Sequence, residues 1–419
     1  MRTAAALVAV TVLLAGCAGS PQPTPDDPAA GSRSAAADLD FLLQELEAIH
    51  PEPFHGVSRE EFVTELRGLQ DRLPELDDDQ AVVESMRLVA LLSREGRDGH
   101  QFALPQEGRA GEFLPLRWYE LDGGLVVTAA MPPYDDLVGA QVRSVDGVPV
   151  DRLLALAEPL VPRDGPATVP LFRPMLLLRT QVLRGLGVAD DGAVTLSVAT
   201  RSGVRERDLE PVGEAEHEAW AGRFGGFRLP QRPDVGYLSR LGDVQRTEWL
   251  GRVLYLRLTE VQETPDAALL RRLRRPDVER LVVDLRQNPG GDNTNNPAMV
   301  AAVADFAGTH PRSEVVVLTD RVTFSAASNL ATELERAVDP VFVGEPMGGG
   351  LNFWDDVTPV RLDAMPVPLE VGVSTRYWEI SRPGDPRLTI QPDVPVPVTA
   401  GDVLAGRDPA LRTALGPLP

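Results

Sequence analysis

Residues 282–293 read VVDLRQNPGGDN, an apolar run that ends in a proline and two glycines and continues into polar residues. A continuous apolar run is typical of a buried strand, and the polar residues here precede a stretch with helical spacing. Glycines directly after a strand let a backbone N–H group approach a ligand closely. The stretch therefore predicts a strand–turn–helix unit in which Gly290 and Gly291 could line a site. A tight turn without such a role is the alternative interpretation.

The same alternation of strand and helix covers the C-terminal part of the chain. Strands are predicted at 253–258, 281–285, 315–318 and 341–344, and helices at 266–274, 297–306 and 325–337. Strands that alternate with helices in this way form a parallel sheet with helices on its faces. The predicted fold class is therefore α/β for this part and α+β for the chain as a whole.

Ser325 lies in the sequence TFSAAS at 323–328, between the predicted strand 315–318 and an amphipathic helix. The serine would then stand at a helix N-terminus, where the free amides of the first turn can stabilise an oxyanion. This position suits a nucleophile. The alternative is that Ser325 only caps the helix, a role that serine often fills.

The segments before the predicted α/β part differ from one another in their sequence patterns. Helical spacing predicts an N-terminal helical domain at 38–105, which ends near a glycine-flanked turn at His100. Strand-like segments and the Asp146-Gly147 turn predict a second domain at 113–215. Residues 216–250 show no clear period, and we interpret them as a connection to a core at 251–415.

The first 17 residues have the composition of an export signal. One arginine precedes an apolar run that is too short to cross a bilayer, and the run ends in Leu14-Ala15-Gly16-Cys17. This ending resembles a bacterial lipobox, which predicts a lipid on Cys17 and a location on the extracytoplasmic face of the cell membrane. Residues 18–37, rich in proline, alanine and serine, predict a flexible tether. An ordinary signal peptide with an incidental cysteine is the alternative.

Composition narrows the chemistry that the chain can perform. The formal net charge of -21 argues against nucleic acid as a partner. The sequence contains no lysine, so all 41 basic residues are arginine, which stays protonated and cannot act as a general base. A serine nucleophile would therefore need a histidine to accept its proton.

Five histidines are available for that task. His100 is the strongest candidate because it follows a glycine where a predicted helix gives way to a strand. His50 and His55 stand beside prolines and suit turns, and His310 follows a helix end and suits a C-terminal cap. His217 lies on the connection without a clear pattern.

Several motifs together resemble the core of the tail-specific (C-terminal processing) serine peptidase family. The segments that carry the resemblance are 284–293, 324–328, 343–349, 390–394 and 406–411, with 98–100 at the end of the helical region and 138–150 in a PDZ-like module. The resemblance covers roughly residues 38–415. It implies a core of crotonase-like ββα units and a nucleophile at Ser325. It also implies an oxyanion hole formed by the N–H groups of Ala326 and of Gly290 or Gly291.

The best-known members of that family pair the serine with a lysine, whereas residues 348–352 of this chain read GGGLN. The chain resembles instead the tricorn-like branch, in which a histidine from the helical region faces the serine, and His100 matches that histidine. The branch has a serine just before the histidine, where this chain has Gly99. It also implies a supporting acidic residue, for which Glu379 is the first choice and Asp385 the second.

These observations predict a serine endopeptidase that hydrolyses peptides or protein C-terminal segments and uses no cofactor and no metal. The expected partners are a peptide or protein substrate and, through the lipid on Cys17, the membrane. A non-catalytic binding lipoprotein of the same fold is the alternative function, because retinoid-binding relatives of the family hold ligands without proteolysis. The sequence leaves the oligomeric state open.

Overall fold

The computed structural model describes residues 33–109, 111–200, 203–222, 227–232 and 235–418. The predicted export signal, Cys17 and most of the predicted tether lie outside the described residues. By their internal contacts the described residues form two compact units. One contains residues up to 227 together with 354–377, and the other contains 228–353 together with 378–418.

The described part of the first unit begins with three helices, α1 (Ala35–Ile49), α2 (Arg59–Arg72) and α3 (Asp78–Ala90). Each begins after a residue whose side chain accepts a backbone N–H of the first turn, and these caps are Ser34, Ser58 and Asp77. Such caps satisfy amides that have no partner inside the helix. The predicted helical region is therefore helical, and its starts coincide with serine and aspartate caps.

The rest of the first unit is built mainly from antiparallel strands. In chain order its elements are β1 (Ala103–Pro105), β2 (Glu112–Phe113), β3 (Leu116–Leu121), β4 (Gly124–Ala130), β5 (Gln141–Val145), β6 (Val148–Pro149), α4 (Val150–Ala157), α5 (Val169–Leu176), α6 (Thr180–Gly185), β7 (Val194–Thr200), β8 (Gly203–Leu209), β9 (Val212–Gly213) and α7 (Glu214–Ala221). The main sheet has the order β3-β4-β5-β7-β8, and β6 pairs with β5 across the predicted Asp146-Gly147 turn.

Four helices of this region were not anticipated from the sequence, namely α4, α5, α6 and α7. The helix α5 contains Pro170 near its start and Pro174 in its interior. Proline normally marks the end of a helix, since it lacks the N–H that the helix needs. The helix α4 was missed although Val150, Leu153, Leu154 and Ala157 stand at helical spacing, and the six residues of α6 are too few to establish a helical period.

The second unit contains a six-stranded sheet with the order β10-β11-β12-β13-β14-β17. Its elements are β10 (Gln245–Leu250), β11 (Val253–Leu258), α8 (Ala267–Leu273), β12 (Arg280–Asp284), α9 (Asn296–Thr309), β13 (Glu314–Thr319), α10 (Ala326–Val338), β14 (Val341–Gly344), β15 (Asn352–Leu362), β16 (Leu369–Glu379), β17 (Val394–Pro395), α11 (Ala400–Ala405) and α12 (Pro409–Ala414). Of these, β15 and β16 lie mostly in the first unit, where β16 pairs with β1.

The sheet of the second unit is parallel from β11 to β17, and β10 is antiparallel to β11. Side chains such as Val283 and Val317 pack with those of α9 and α10 on one face. Their neighbours Val282 and Val316 pack with α12 on the other face. Because both faces are covered, the strands are apolar throughout, as the sequence pattern predicted. The strand–helix alternation predicted for the C-terminal part is confirmed.

A buried ion-pair network secures the end of β12. The Arg286 guanidinium donates to Asp284 Oδ2 at 2.6 Å and to Asp408 Oδ1 at 2.7 Å. Tyr255 adds a hydrogen bond to Asp284, and Asp408 also caps α12. Burial alone would raise the pKa of Asp284, but the charge of Arg286 holds it below its ordinary value. Through Asp408, the segment 406–411 thereby holds in place the residues that precede the Pro-Gly-Gly turn.

No helix among the described residues combines the length and the apolar character that crossing a bilayer requires.

Candidate active site

Ser325 occupies a sharp turn between β13 and α10. It is the N-cap of α10, with φ of 50° and ψ of -127°, and its own side chain makes no capping hydrogen bond. A positive φ is rare outside glycine and concentrates at functional sites, where the surrounding structure holds the strained residue in place. The same strand–turn–helix geometry exposes the nucleophile of many serine hydrolases. The structure therefore disfavours the interpretation of Ser325 as an ordinary cap.

The turn that carries Ser325 is tied to the turn after β12 through Asp320. Its carboxylate accepts hydrogen bonds from the N–H of Val322 at 2.9 Å and from Nε2 of Gln287 at 2.6 Å. Burial, with the nearby charge of Glu345, raises the pKa of Asp320 to about 6, although the hydrogen bonds from Gln287 act in the opposite direction. One titratable side chain thus joins the two predicted catalytic segments.

Gly290 packs directly against Ser325. A Cβ atom added to Gly290 would lie 2.8 Å from Cβ of Ser325 and 3.0 Å from the nitrogen of Ala326, and φ of Gly290 is 114°. Real Cβ atoms do not come this close to other heavy atoms, and only glycine adopts such a φ without strain. The prediction that the Pro-Gly-Gly turn lies beside Ser325 holds within this unit.

The three predicted oxyanion donors differ in their surroundings. Among the described residues no acceptor takes the N–H of Ala326, which is the first amide of α10. The N–H of Gly290 donates to Oδ1 of Asn288 at 3.0 Å, so an oxyanion would have to share or replace that hydrogen bond. Gly291 forms a bridge with Val261, whose carbonyl oxygen would lie 2.3 Å from an added Cβ. Ala326 is therefore the best-placed donor, and glycine at 291 is explained by packing.

Gly344, the last residue of β14, and Gly349 pack closely against the segment that carries the Ser325 turn. A Cβ on Gly349 would lie 2.1 Å from Oγ of Ser328 and 3.0 Å from the nitrogen of Ser325, and one on Gly344 would lie 2.2 Å from the carbonyl oxygen of Thr319. Positions 344 and 349 of the family-like motif 343–349 therefore require glycine, because the residues around the Ser325 turn are packed against them.

His100 lies in the first unit, at the turn between α3 and β1. The N–H of Gly99 donates to Oδ1 of Asp164 at 2.6 Å, and a Cβ on Gly99 would approach the nitrogen of Asp164 to 3.0 Å. Serine, which the tricorn-like branch has at this position, would be crowded here. The close contact with Asp164 therefore explains why this chain has Gly99 where the family pattern has serine. The replacement leaves His100 at the turn between α3 and β1.

A carboxylate that the sequence did not single out accompanies His100. Nε2 of His100 lies 3.5 Å from Oδ2 of Asp355, and both residues are buried. Asp355 is on β15, next to Asp356, and the two are indistinguishable in sequence. Successive side chains of a strand point to opposite faces of the sheet, so the two aspartates face different sides. Predicting a strand at 352–362 from the sequence could therefore have identified Asp355.

The two acidic residues proposed from the family belong to the second unit. Glu379 ends β16 and is exposed. Asp385 is buried, and its carboxylate accepts hydrogen bonds from the hydroxyl of Ser381 and from the guanidinium of Arg387. These hydrogen bonds tie together the loop that contains Ser381, Asp385 and Arg387. The supporting role of either residue stays a prediction, as does the pairing of His100 with Ser325.

A cluster of His50, His55 and Asp98 has the composition of a metal site, with ligand atoms within 4.8 Å of one another. The N–H of Glu52, however, donates to Nδ1 of His50 at 3.0 Å. His50 must therefore carry its proton on Nε2, which donates to Asp98 at 3.2 Å and has no lone pair for a metal ion. We interpret the cluster as a hydrogen-bonded network.

This network positions the turn that carries His100. Asp98 is fully buried and also accepts the hydroxyl hydrogen of Ser374 at 2.8 Å. Burial would raise the pKa of Asp98, but the hydrogen bond from His50 and the imidazole of His55, 3.6 Å away, outweigh it and keep the carboxylate ionised. His50 and His55 are thus structural, as their positions beside prolines indicated. His310 is the C-cap of α9, which agrees with the sequence.

Comparison with known proteins identifies the domain that carries Ser325. Residues 252–396 match the model of peptidase family S41. Among solved structures, mature CPAF in complex with lactacystin aligns with a TM-score of 0.56 at 15% identity, covering 89% of this chain and 95% of that chain. A mutant of CPAF aligns with a TM-score of 0.60 at 15% identity, covering 89% and 94%. No curated protein sequence matches the chain.

The match to peptidase family S41, together with the mixed α/β fold, identifies a serine-type peptidase. The chain carries a peptidase domain of family S41, and the family predicted from the sequence motifs is thereby confirmed. The likeness to CPAF concerns the fold alone, because the identity is low. The PDZ-like nature of the segment 113–215, the tricorn-like branch and the individual catalytic residues remain predictions.

Proposed function

We propose that the protein is a lipid-anchored peptidase that cleaves peptides or protein C-terminal segments through Ser325, with His100 as the general base. The observation that carries the proposal is the backbone of Ser325, which has φ of 50° at the N-terminus of α10 inside the S41 domain. The hydroxyl of Ser325 would attack the scissile carbonyl carbon as its proton passes to the imidazole of His100.

The tetrahedral intermediate would place its oxyanion against the N–H of Ala326, at the positive end of the α10 dipole. A backbone amide in such a position stabilises the developing charge more than it stabilises the substrate carbonyl. The imidazolium of His100 would then protonate the leaving amine. The contact between His100 and Asp355 supports this assignment, because a carboxylate beside the imidazole stabilises its charged form.

The direct test is hydrolysis of an unstructured polypeptide by the full chain. Wild-type protein should release fragments, whereas the Ser325→Ala and His100→Gln variants should lose activity by several orders of magnitude while remaining folded. A Ser313→Ala variant is a suitable control, because that hydroxyl only donates to the carbonyl of Val278. Full activity of Ser325→Ala would exclude Ser325 as the nucleophile.

The proposed anchor is tested separately. If Cys17 carries the lipid, the protein should fractionate with membranes and face the extracytoplasmic side, and Cys17→Ala should prevent processing or release the protein. A Cys17→Ala protein that is processed normally and remains bound to the membrane would exclude this anchor. The antiparallel strands at 116–209 support a PDZ-like module, whose expected ligand is a peptide tail.

A further inference from the structure

Gln287 lies in the turn after β12, between the ion-pair network at Arg286 and the Pro-Gly-Gly turn. It is buried, and its φ of 59° is a left-handed backbone conformation that residues other than glycine adopt at a cost. A residue stays in such a conformation only where its surroundings hold it there. Gln287 is neither the nucleophile nor the base nor an oxyanion donor, so the contacts that hold it indicate another role.

Two partners fix the orientation of the side-chain amide of Gln287. Its Nε2 atom donates to Oδ2 of Asp320 at 2.6 Å, and its Oε1 atom accepts the N–H of Leu229 at 2.6 Å. An ionised carboxylate only accepts hydrogen bonds, and a backbone N–H only donates them. The amide therefore cannot be turned over without placing two donors or two acceptors against each other.

These partners join three segments of the second unit. Asp320 belongs to the turn that leads from β13 to Ser325, and Gln287 precedes the Pro-Gly-Gly turn. Leu229 belongs to residues 228–232, the first described segment of the second unit. All three residues that meet at the amide are buried, so water does not compete for these hydrogen bonds. The amide of Gln287 is thus the point at which the three segments are fastened together.

The backbone beside Gln287 extends this connection to the nucleophile. The N–H of Phe324 donates to the carbonyl oxygen of Asn288 at 3.2 Å. Asn288 directly follows Gln287, and Phe324 directly precedes Ser325. A displacement of Gln287 would therefore reach the nucleophile by two routes, through Asp320 and through this backbone hydrogen bond.

We propose that Gln287 is a positioning residue for catalysis, which holds the Ser325 turn against the Pro-Gly-Gly turn and ties both to residues 228–232. The inference rests on the proposed function of Ser325 as the nucleophile. Gln287 would act through Asp320 and the backbone and not by contact with the substrate. Such positioning matters because a misplacement of about 1 Å can lower the rate of an enzyme about 10²-fold.

The test exchanges the amide and the carboxylate of this contact. In Gln287→Glu two carboxylates would face each other, and in Asp320→Asn an NH₂ group would face the N–H donors of Gln287 and Val322. In the double variant the new amide at position 320 would donate to the new carboxylate at position 287, which would still accept the N–H of Leu229. Every donor would then have an acceptor again.

Each single variant should lower kcat about 10–100-fold with little change in KM, and the double variant should recover most of the wild-type kcat. Steady-state kinetics on an unstructured polypeptide and the rate at which a fluorophosphonate labels Ser325 measure the effect on the full chain. Gln70→Glu is the matched control, because the Gln70 amide also donates to a carboxylate, that of Asp40 at 3.1 Å, but in the first unit. Its kcat should equal that of the wild type.

A pH profile separates this positioning role from simple support of the fold. Two facing carboxylates can share a proton at low pH but repel each other once both are ionised. The kcat of Gln287→Glu relative to that of the wild type should therefore fall as pH rises, whereas the same ratio for the double variant should change much less. Glu345 and Arg286, the other charges that act on Asp320, are present in all four proteins.

A wild-type kcat in Gln287→Glu at every pH would overturn the inference, and so would a double variant no more active than the weaker single variant. If Gln287→Glu fails to fold, the comparison of Asp320→Asn with the double variant still decides the question. A wild-type chain that neither cleaves the polypeptide nor reacts with the fluorophosphonate would contradict the proposed function itself. Failure of the exchange in an active protein would contradict only the role of Gln287.

Discussion

Nε2 of His100 lies 3.5 Å from Oδ2 of Asp355, on a strand far from it in sequence. A carboxylate at this distance can fix the orientation of an imidazole and stabilise its protonated form. Such a partner is what a histidine base requires when it takes a proton from a serine. The relationship therefore supports the proposed role of His100 as the general base.

Kinetic measurements can distinguish a role of Asp355 in catalysis from a purely structural role. Asp355→Asn should lower kcat by about 10²–10⁴-fold with little change in KM, because the imidazolium loses its neighbour in the transition state. Steady-state kinetics on a peptide substrate measures both constants. The matched control is Asp363→Asn, a carboxylate on the same hairpin that interacts with Arg361 and should leave kcat unchanged. Equal kcat in Asp355→Asn and wild type would remove Asp355 from the mechanism.

The contact between Gly290 and Ser325 predicts that even a methyl group is not tolerated at residue 290. In Gly290→Ala the added Cβ would meet Ser325 at 2.8 Å in a backbone with φ of 114°, so both activity and Tm should fall. Gly308→Ala is the control, because nothing lies within 4 Å of its Cβ and it is in α9. Alanine there should preserve activity and match or exceed the wild-type Tm.

The strained backbone of Ser325 predicts that a glycine variant at this position is more stable than an alanine variant. Both Ser325→Gly and Ser325→Ala should be inactive, but the glycine variant should be more stable by about 1 kcal/mol, since glycine accepts φ of 50° without a Cβ clash. Denaturant unfolding of the two inactive proteins measures the difference. An alanine variant more stable than the glycine variant by a similar amount would show that the turn is not strained.

The raised pKa of Asp320 makes stability depend on pH. Its folded pKa of about 6 exceeds its ordinary value of 3.8, so the folded state binds the proton more tightly. This contribution to stability is complete below the unfolded pKa and is lost as pH rises through 6. It amounts to up to about 3 kcal/mol.

Unfolding free energies measured between pH 4 and 7 test this contribution. The decline with rising pH should be shallower in Asp320→Asn, which cannot titrate, than in the wild type. Asp305→Asn, at an exposed position of α9, should retain the wild-type profile. If the unfolding free energies of Asp320→Asn and the wild type depended on pH in the same way, the raised pKa of Asp320 would be contradicted.

The sequence was sufficient to predict the strand–turn–helix unit, because a buried parallel strand, a Pro-Gly-Gly turn and an amphipathic helix each have a local signal. It also predicted that Ser325 and Gly290 belong to one site. Asp355 was missed because its role depends on which face of β15 it occupies, and that is decided by the position of β15 beside β16 in the sheet. The helix α5 was missed because Pro174 interrupts its pattern.

The reason for glycine at position 99 could not be predicted from the sequence either. Asp164 lies 65 positions away along the chain, and its contact with Gly99 exists only after folding. Local patterns therefore identified which segments matter, while contacts between distant residues determined what each residue does.

The central claim is that Ser325 is the nucleophile, and labelling with a small fluorophosphonate tests it most directly. Trypsin cleaves after arginine and should release the peptide 322–336, which contains both Ser325 and Ser328. Fragmentation of that peptide should place the adduct on Ser325 in the wild type, and Ser325→Ala should remain unlabelled. An adduct on Ser328, labelling of the alanine variant, or a folded wild-type protein that does not react would contradict the claim.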